Sequence, residues 1–325
     1  MKYIDLDRRF VSLAEAQDID PEVWLAIRGA DGRLGWKQLL ERKRVVILAE
    51  AGSGKSTELE QQFRAWKGAG HAAFHGKLQT VGRRGLMAAI GGKSRTAFEA
   101  WQASDEPAWF FLDSVDEAKL DNIRLDDALG AIADVLDPYL GRAHIVLSGR
   151  HTDWEFRLDL ERLADILPVP NLQPLEELSD QERLDDVIHN RAPSRKTKDE
   201  VKPEAPLVVV LAGLDEAQIR LFAGAAGITD LDAFCDALKR SDLLDFAKRP
   251  LDLDWLALGW KRDKRFGAFA HMLDQALQER SKETDPLRAQ QAPLDPTRVR
   301  AALRRIGAAL VLSRKQAIAV PDSGL

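Results

Sequence analysis

The chain has a single cysteine, Cys235, among its 325 residues. No intrachain disulfide can form, and a reducing, cytoplasmic setting is expected. Long apolar runs are also missing. The longest, residues 205–214, is about half of what a membrane-spanning helix requires. The opening MKYIDLDRRF puts charges where a secretory signal would carry its apolar core, so no export signal is read. There is no surplus of positive charge: 47 Lys and Arg face 52 Asp and Glu, a net charge of −5. That balance disfavours a surface dedicated to DNA or RNA, whose affinity rests on a basic face, although a local basic groove remains compatible with it. His and Cys never cluster at metal-ligand spacing, which argues against a zinc site. No fixed-period repeat is visible. What is present, 45% hydrophobic and 30% charged residues, is the balance of a globular protein long enough for two domains and part of a third.

Residues 1–35 read as a lead-in rich in turn signals (Asp20-Pro21, Gly29, Asp31-Gly32, Gly35). From Trp36 the pattern changes. Trp36, Leu39 and Leu40 share one face of a short helix, and the apolar run from Val45 to Ala49 follows. Runs of that length bounded by charge and glycine read as buried parallel strands. A helix from Lys55 to about Trp66, strands near 72–75, 108–112 and 143–148, and helices near 97–103 and 126–136 continue the alternation. Such alternation predicts an α/β fold, a parallel sheet with helices on both faces, over residues 36–172. Helical spacing dominates 173–290, where Ser179 and Glu182 form a candidate capping box. Residues 191–206 are rich in charge and proline and read as an exposed loop. A helix over about 296–312 and a candidate strand at 316–320 fill the last segment, 291–325.

Between the first strand and its helix lies Ala49-Glu50-Ala51-Gly52-Ser53-Gly54-Lys55-Ser56, with Thr57 next. This is the spacing of a Walker A phosphate loop, with Ala49 where glycine is more usual. Gly52 and Gly54 let backbone amides turn inward around an anion, Lys55 reaches the β- and γ-phosphates, and Ser56 offers a hydroxyl to Mg²⁺. The following helix points its positive end at the phosphates. An exposed Gly/Ser turn is the competing interpretation. A Mg²⁺ site also needs a carboxylate at the end of a neighbouring strand. Trp109-Phe110-Phe111-Leu112-Asp113 supplies it, Asp113 holding the ion through water; otherwise Asp113 caps the next helix.

The run from Phe111 to Ala118, with Asp113, Ser114, Asp116 and Glu117 inside it, resembles the extended Walker B of NACHT-type NTPases, in the STAND branch of the AAA-like P-loop proteins. The resemblance implies that Asp113 handles the metal and that Asp116 or Glu117 positions the attacking water. Ser114 stands where many ATPases place a catalytic Glu. The segment from Ile145 to Arg150 is similar to the family's sensor-1 strand, which puts Arg150 near the γ-phosphate. Residues 172–175 resemble the entry to its helical lid. Lys248-Arg249-Pro250-Leu251 resembles the lid motif in which Pro250 lies against adenine. The resemblance covers roughly residues 36–320 and implies a P-loop core, a helical lid and the opening of a winged-helix domain that continues beyond Leu325. It also implies ATP or ADP with Mg²⁺ as ligands, and self-association or further domains as partners, as in large bacterial antiphage-defence ATPases.

Simpler roles compete at several positions. Arg150 could be a solvated cation after a strand, and Pro250 could simply open a helix at its first turn. His151 reads as a surface residue, and the tryptophans as core. No Asn-Lys-x-Asp guanine-recognition segment is present, which favours ATP over GTP. The expectation is therefore an ATP-binding switch with slow hydrolysis. A non-hydrolytic nucleotide-dependent oligomerisation module and a P-loop phosphotransferase are the alternatives.

Overall fold

A computed structural model describes residues 3–13, 33–113, 124–170, 204–267 and 295–313. The chain divides into two units, Met1–Ala212 and Gly213–Leu325.

The first unit is built on a six-stranded sheet. Its strands are β1 (Phe10–Ser12), β2 (Arg44–Leu48), β3 (Ala72–Lys77), β4 (Ala108–Asp113), β5 (Ala143–Gly149) and β6 (Leu207–Leu211). The spatial order is β1-β6-β2-β5-β4-β3. Five strands are parallel, and β1 pairs antiparallel with β6, Phe10 opposite Leu211. The parallel strands are mostly apolar through their middles, as expected where helices cover both faces, with polar residues towards their ends. Helices α1 (Trp36–Glu41) and α2 (Lys55–Gly68) lie on one face, their Leu39, Leu40, Leu59, Phe63 and Trp66 packing with Val45, Ile47, Trp109, Phe111 and Val146. The other face takes α3 (Leu78–Arg84), α4 (Leu86–Ile90), α5 (Arg95–Gln102), α6 (Leu125–Leu136) and α7 (Phe156–Ile166), against Val46, Leu48, Phe110, Leu112, Ile145 and Leu147.

This division follows from right-handed crossovers. The chain leaves β2 towards the β3 edge over one face, and the described helices of the later crossovers, which step back the opposite way, lie on the other. Outgoing segments from the adjacent strands β2 and β5 therefore go to opposite faces. A crevice opens at such a reversal, beyond the carboxyl ends of the strands.

The amino-terminal edge is closed by polar side chains. Arg44, 1% exposed, donates to the carbonyls of Lys43, Ala143, Leu140, Leu167 and Pro168 at 2.6–3.2 Å. Burial lowers its pKa to about 10, so the guanidinium stays charged at neutral pH. His144 stacks on Trp109 with ring centroids 4.8 Å apart. Its Nδ1 lies 2.9 Å from the Arg42 carbonyl and its Nε2 3.1 Å from the Lys43 ammonium. A carbonyl only accepts and an ammonium only donates, so the ring is held neutral with its proton on Nδ1. Arg142 lies over Trp101 and Tyr139 at 4.4 and 4.9 Å and donates to three carbonyls.

The sheet reaches past both boundaries drawn from the sequence. Leu6, Phe10, Val11 and Leu13 of the lead-in are buried, and β1 is an edge strand. Three residues are too few to display an alternation. At the other end, β6 falls inside the span assigned to the lid, yet it pairs in parallel with β2. Its run Leu207-Val208-Val209-Val210-Leu211 is dense in β-branched residues, the composition of a strand buried on both faces. The segment Leu78–Ile90 adds two short helices that were not expected.

The second unit is helical in its described residues: α8 (Glu216–Ala225), α9 (Leu231–Arg240), α10 (Leu244–Ala247), α11 (Pro250–Asp263) and α12 (Pro296–Ser313). Asp215 and Gln218 form a reciprocal capping box at α8, and Asp230 caps α9. Ile219, Phe222, Phe234, Leu238, Leu253, Leu256 and Trp260 are buried, with Phe234 edge-on to Trp260 at 5.7 Å. The capping box at Ser179, most of the loop 191–206 and the candidate strand at 316–320 lie outside the described residues.

Candidate functional site

Strand β2 ends at Leu48, and Ala49 continues it by donating its amide to the Gly149 carbonyl at 3.0 Å. Glu50 and Ala51 are exposed, and the Ser53 amide closes a turn on the Glu50 carbonyl at 3.3 Å. Gly52 and Gly54 then take φ of 79° and 86°. An L side chain rarely adopts that conformation, so these two glycines are what the turn requires. Gly54 is the N-cap of α2, whose first turn is capped by no side chain. A helix start presents its leading amides outward, and here they follow a glycine loop. Lys55 is the first helical residue and half-buried, and Ser56 and Thr57 are exposed beside it. Buried Leu59 anchors the same helix in the core below.

Asp113 is the last residue of β4 and is 5% exposed. Trp109 and Phe111 point towards the α2 face, so alternation brings Asp113 to that face as well. Ser148 of β5 arrives on the same face by the same rule, and its hydroxyl donates to Asp113 Oδ1. Asp113 is thus a strand-end carboxyl group with a hydroxyl orienting it, and the segment it would otherwise cap lies outside the described residues. Lys77 is Asp113's register partner on β3. His75, two residues earlier, stacks on Phe63, and its Nε2 is buried with no hydrogen-bond partner. Burial pushes the His75 pKa down, against the pull of the Asp113 charge.

Arg150 follows β5 directly and is half-buried. The register Leu48↔Gly149 sets it at the same carboxyl edge as the glycine loop, beside the reversal of strand order. His151 is half-buried, with both ring nitrogens covered and without a partner, which corrects its interpretation as a surface residue. Pro250 occupies the first turn of α11, in the second unit. The proline's fixed φ accounts for that place by itself. Asp116 and Glu117 lie outside the described residues, as does Ser114.

One buried polar group of the glycine loop is left without a hydrogen-bond partner. Ser53, 8% exposed, buries its hydroxyl without a partner in the middle of the loop. A buried hydroxyl left unsatisfied costs about 1–3 kcal/mol and is uncommon unless something meets it. Among the described residues no three His, Cys, Asp or Glu side chains converge on one point. Mg²⁺ needs no such cage, because it keeps several waters and is held by one or two protein oxygens together with phosphate.

Sequence reasoning missed Ser148, Arg8 and Glu58. Arg8 is 3% exposed and reaches the loop itself, donating to the Ser53 carbonyl at 2.9 Å and to the Ala212 carbonyl at 2.8 Å. Glu58, in the first turn of α2, accepts from Tyr3 at 3.3 Å and from Trp36 at 3.4 Å. Burial pushes the Glu58 pKa up, with the Arg8 charge opposing it. Ser148 was legible in principle, as a lone hydroxyl ending a buried apolar strand. Nothing in Leu6-Asp7-Arg8-Arg9 singles out Arg8. The chain matches no protein-family model and no curated protein.

Proposed function

We propose that the chain is an ATP-binding module of the NACHT-like, STAND type, acting as a nucleotide switch with slow hydrolysis within a bacterial defence or signalling protein. One observation carries this reading: a glycine loop with two left-handed glycines opens an uncapped helix at the strand-order reversal, with Lys55 first in that helix. The loop amides and Lys55 would hold the phosphates, and Ser56 and Asp113 would hold Mg²⁺, which would supply neutralisation of phosphate charge. Asp113 on β4 is separated from β2 by β5, so Ser148 of β5 lies between the loop and the carboxylate and can orient it. Arg150 would sense the γ-phosphate. Asp116 and Glu117 would position the attacking water, and Pro250 would meet adenine, all three resting on the sequence resemblance alone. Ser114 in place of a catalytic Glu favours slow turnover.

The experiment is a titration of the purified protein with ATP, ADP and GTP, each with and without Mg²⁺, followed by single-turnover phosphate release. Binding of ATP and ADP in preference to GTP, strengthened by Mg²⁺, is expected. Slow release abolished in Glu117→Gln or in Asp116→Asn would assign the water-positioning acid. Absence of nucleotide binding under all these conditions would end the proposal.

A further inference from the structure

Resting on the nucleotide-binding reading, we propose that Arg8 is the positioning residue of the phosphate loop, fixing the Ser53–Gly54 peptide so that the Gly54 amide is aimed at bound phosphate. The argument begins with the peptide plane. A trans peptide is flat, with its C=O and the next N–H pointing in opposite directions. The Ser53 carbonyl is held by Arg8 at 2.9 Å. The N–H of Gly54 must therefore point away from Arg8. That peptide joins Ser53 to Gly54, whose φ is 86°, with Gly52 at 79° one residue earlier, and a glycine on its amide side lowers the barrier to a flip. A loop that relies on two glycines for its shape gains little rigidity from its own residues, and a hydrogen bond from outside must select one of its conformers.

Arg8 is suited to that task because its two terminal amino groups are held on separate carbonyls, although its Nε is buried without a partner. It is 3% exposed, and its second amino group is fixed on the Ala212 carbonyl at 2.8 Å, immediately after β6. The strand that follows it is pinned as well: the Ala212 amide donates to the Arg9 carbonyl and the Leu13 amide to the Val208 carbonyl, both at 2.9 Å. Glu58 supplies opposite charge from the first turn of the loop's own helix, and Tyr3 and Trp36 hold that carboxylate in place. A planar guanidinium can bridge two carbonyls in one fixed geometry, which a lysine ammonium cannot reproduce. By reciprocity, phosphate that orders the Gly54 amide must also stabilise the Arg8 bridge.

The test uses Arg8→Ala and Arg8→Lys in the full chain, with ¹⁵N-glycine labelling and titration of Mg-ADP at a temperature where circular dichroism shows each variant folded. In the wild type the Gly54 amide resonance should move on adding ADP. Arg8→Ala should weaken ADP binding by about tenfold, the scale of one charged hydrogen bond, and should reduce the Gly54 shift. Arg8→Lys should recover only part of the affinity; if Arg8→Ala does not fold, this variant carries the comparison with wild type. A merely structural Arg8 would lower the melting temperature and leave both ADP affinity and the Gly54 shift of the folded protein unchanged. That result overturns the proposal, as does full recovery in Arg8→Lys, which would mean that charge alone suffices. Wild-type protein that neither binds ADP nor shifts Gly54 removes the nucleotide reading and this inference together. Wild-type binding that is lost in Lys55→Ala but kept in Arg8→Ala removes this inference alone.

Discussion

The two edges of the sheet bury similar kinds of side chain and use them in opposite ways. At the amino-terminal edge, Arg44 meets five carbonyls, Arg142 meets three, and His144 has a partner on each ring nitrogen. At the carboxyl edge, the Ser53 hydroxyl and both nitrogens of His151 are buried with no partner, and α2 begins without a side-chain cap. Buried polar groups are hydrogen-bonded as a rule; Trp66 Nε1 is an exception at the amino-terminal edge, and the Ser53 hydroxyl is one inside the glycine loop. The strand ends teach the same lesson: a buried cation that satisfies carbonyls closes a fold, whereas a glycine loop in front of uncapped amides leaves capacity for an anion.

Substitutions can break that comparison, and the largest effect is expected at the closed edge. Arg44→Leu should cost about 3 kcal/mol or more of stability in urea unfolding, since several buried carbonyls lose their donor at once. A loss under about 1 kcal/mol would mean that those carbonyls find other partners. The acid limb comes next. Burial and the Lys43 charge lower the His144 pKa from 6.5 to about 4. Between those values the unfolded chain binds the extra proton, so stability should fall as pH drops from about 6.5 towards 4, by up to about 3 kcal/mol. His144→Gln should flatten that limb, as read from unfolding midpoints at pH 7, 6, 5 and 4.

At the open edge the effects fall on ligand rather than on stability. Asp113→Asn should weaken ATP binding about tenfold or more with Mg²⁺ present and little in EDTA, because only the metal's share of the interaction is lost. Equal losses in both buffers would make Asp113 a structural group. Arg150→Ala is the smallest step. It should narrow the ratio of ATP to ADP affinity severalfold and leave ADP nearly unchanged, since a contact confined to the γ-phosphate can discriminate only between those two. An equal loss for both would give Arg150 a general electrostatic role.

The open edge was the more legible of the two in the sequence. Gly52, Gly54 and Lys55 stand within four consecutive positions whose spacing matches a phosphate loop, and Asp113 ends a run of large apolar residues. The closed edge was silent, because Arg44, Arg142 and His144 act on carbonyls of remote strands and turns, and a carbonyl has no signature in the residue that carries it. Arg8 was hidden for the same reason: its partners Ser53 and Ala212 lie 45 and 204 residues away. β6 was present as a β-branched run, but a long helical and charged stretch set it apart from the other strands. The register running from Val45 opposite Leu207 to Leu48 opposite Val210 joins it to them.

The claim that one edge holds the fold and the other holds a nucleotide is tested most directly by calorimetric titration of Mg-ATP into wild-type protein and Lys55→Ala, with urea unfolding of both. Lys55 stands at the start of a helix that buried Leu59 anchors in the core, and under the proposed function its removal would take away the charge that balances phosphate. The account predicts saturable binding by the wild type, loss of binding by at least about a hundredfold in the variant, and unfolding free energies equal within about 0.5 kcal/mol. Equal ATP affinity in the two proteins, or a variant that binds less only because it is less stable, would contradict it.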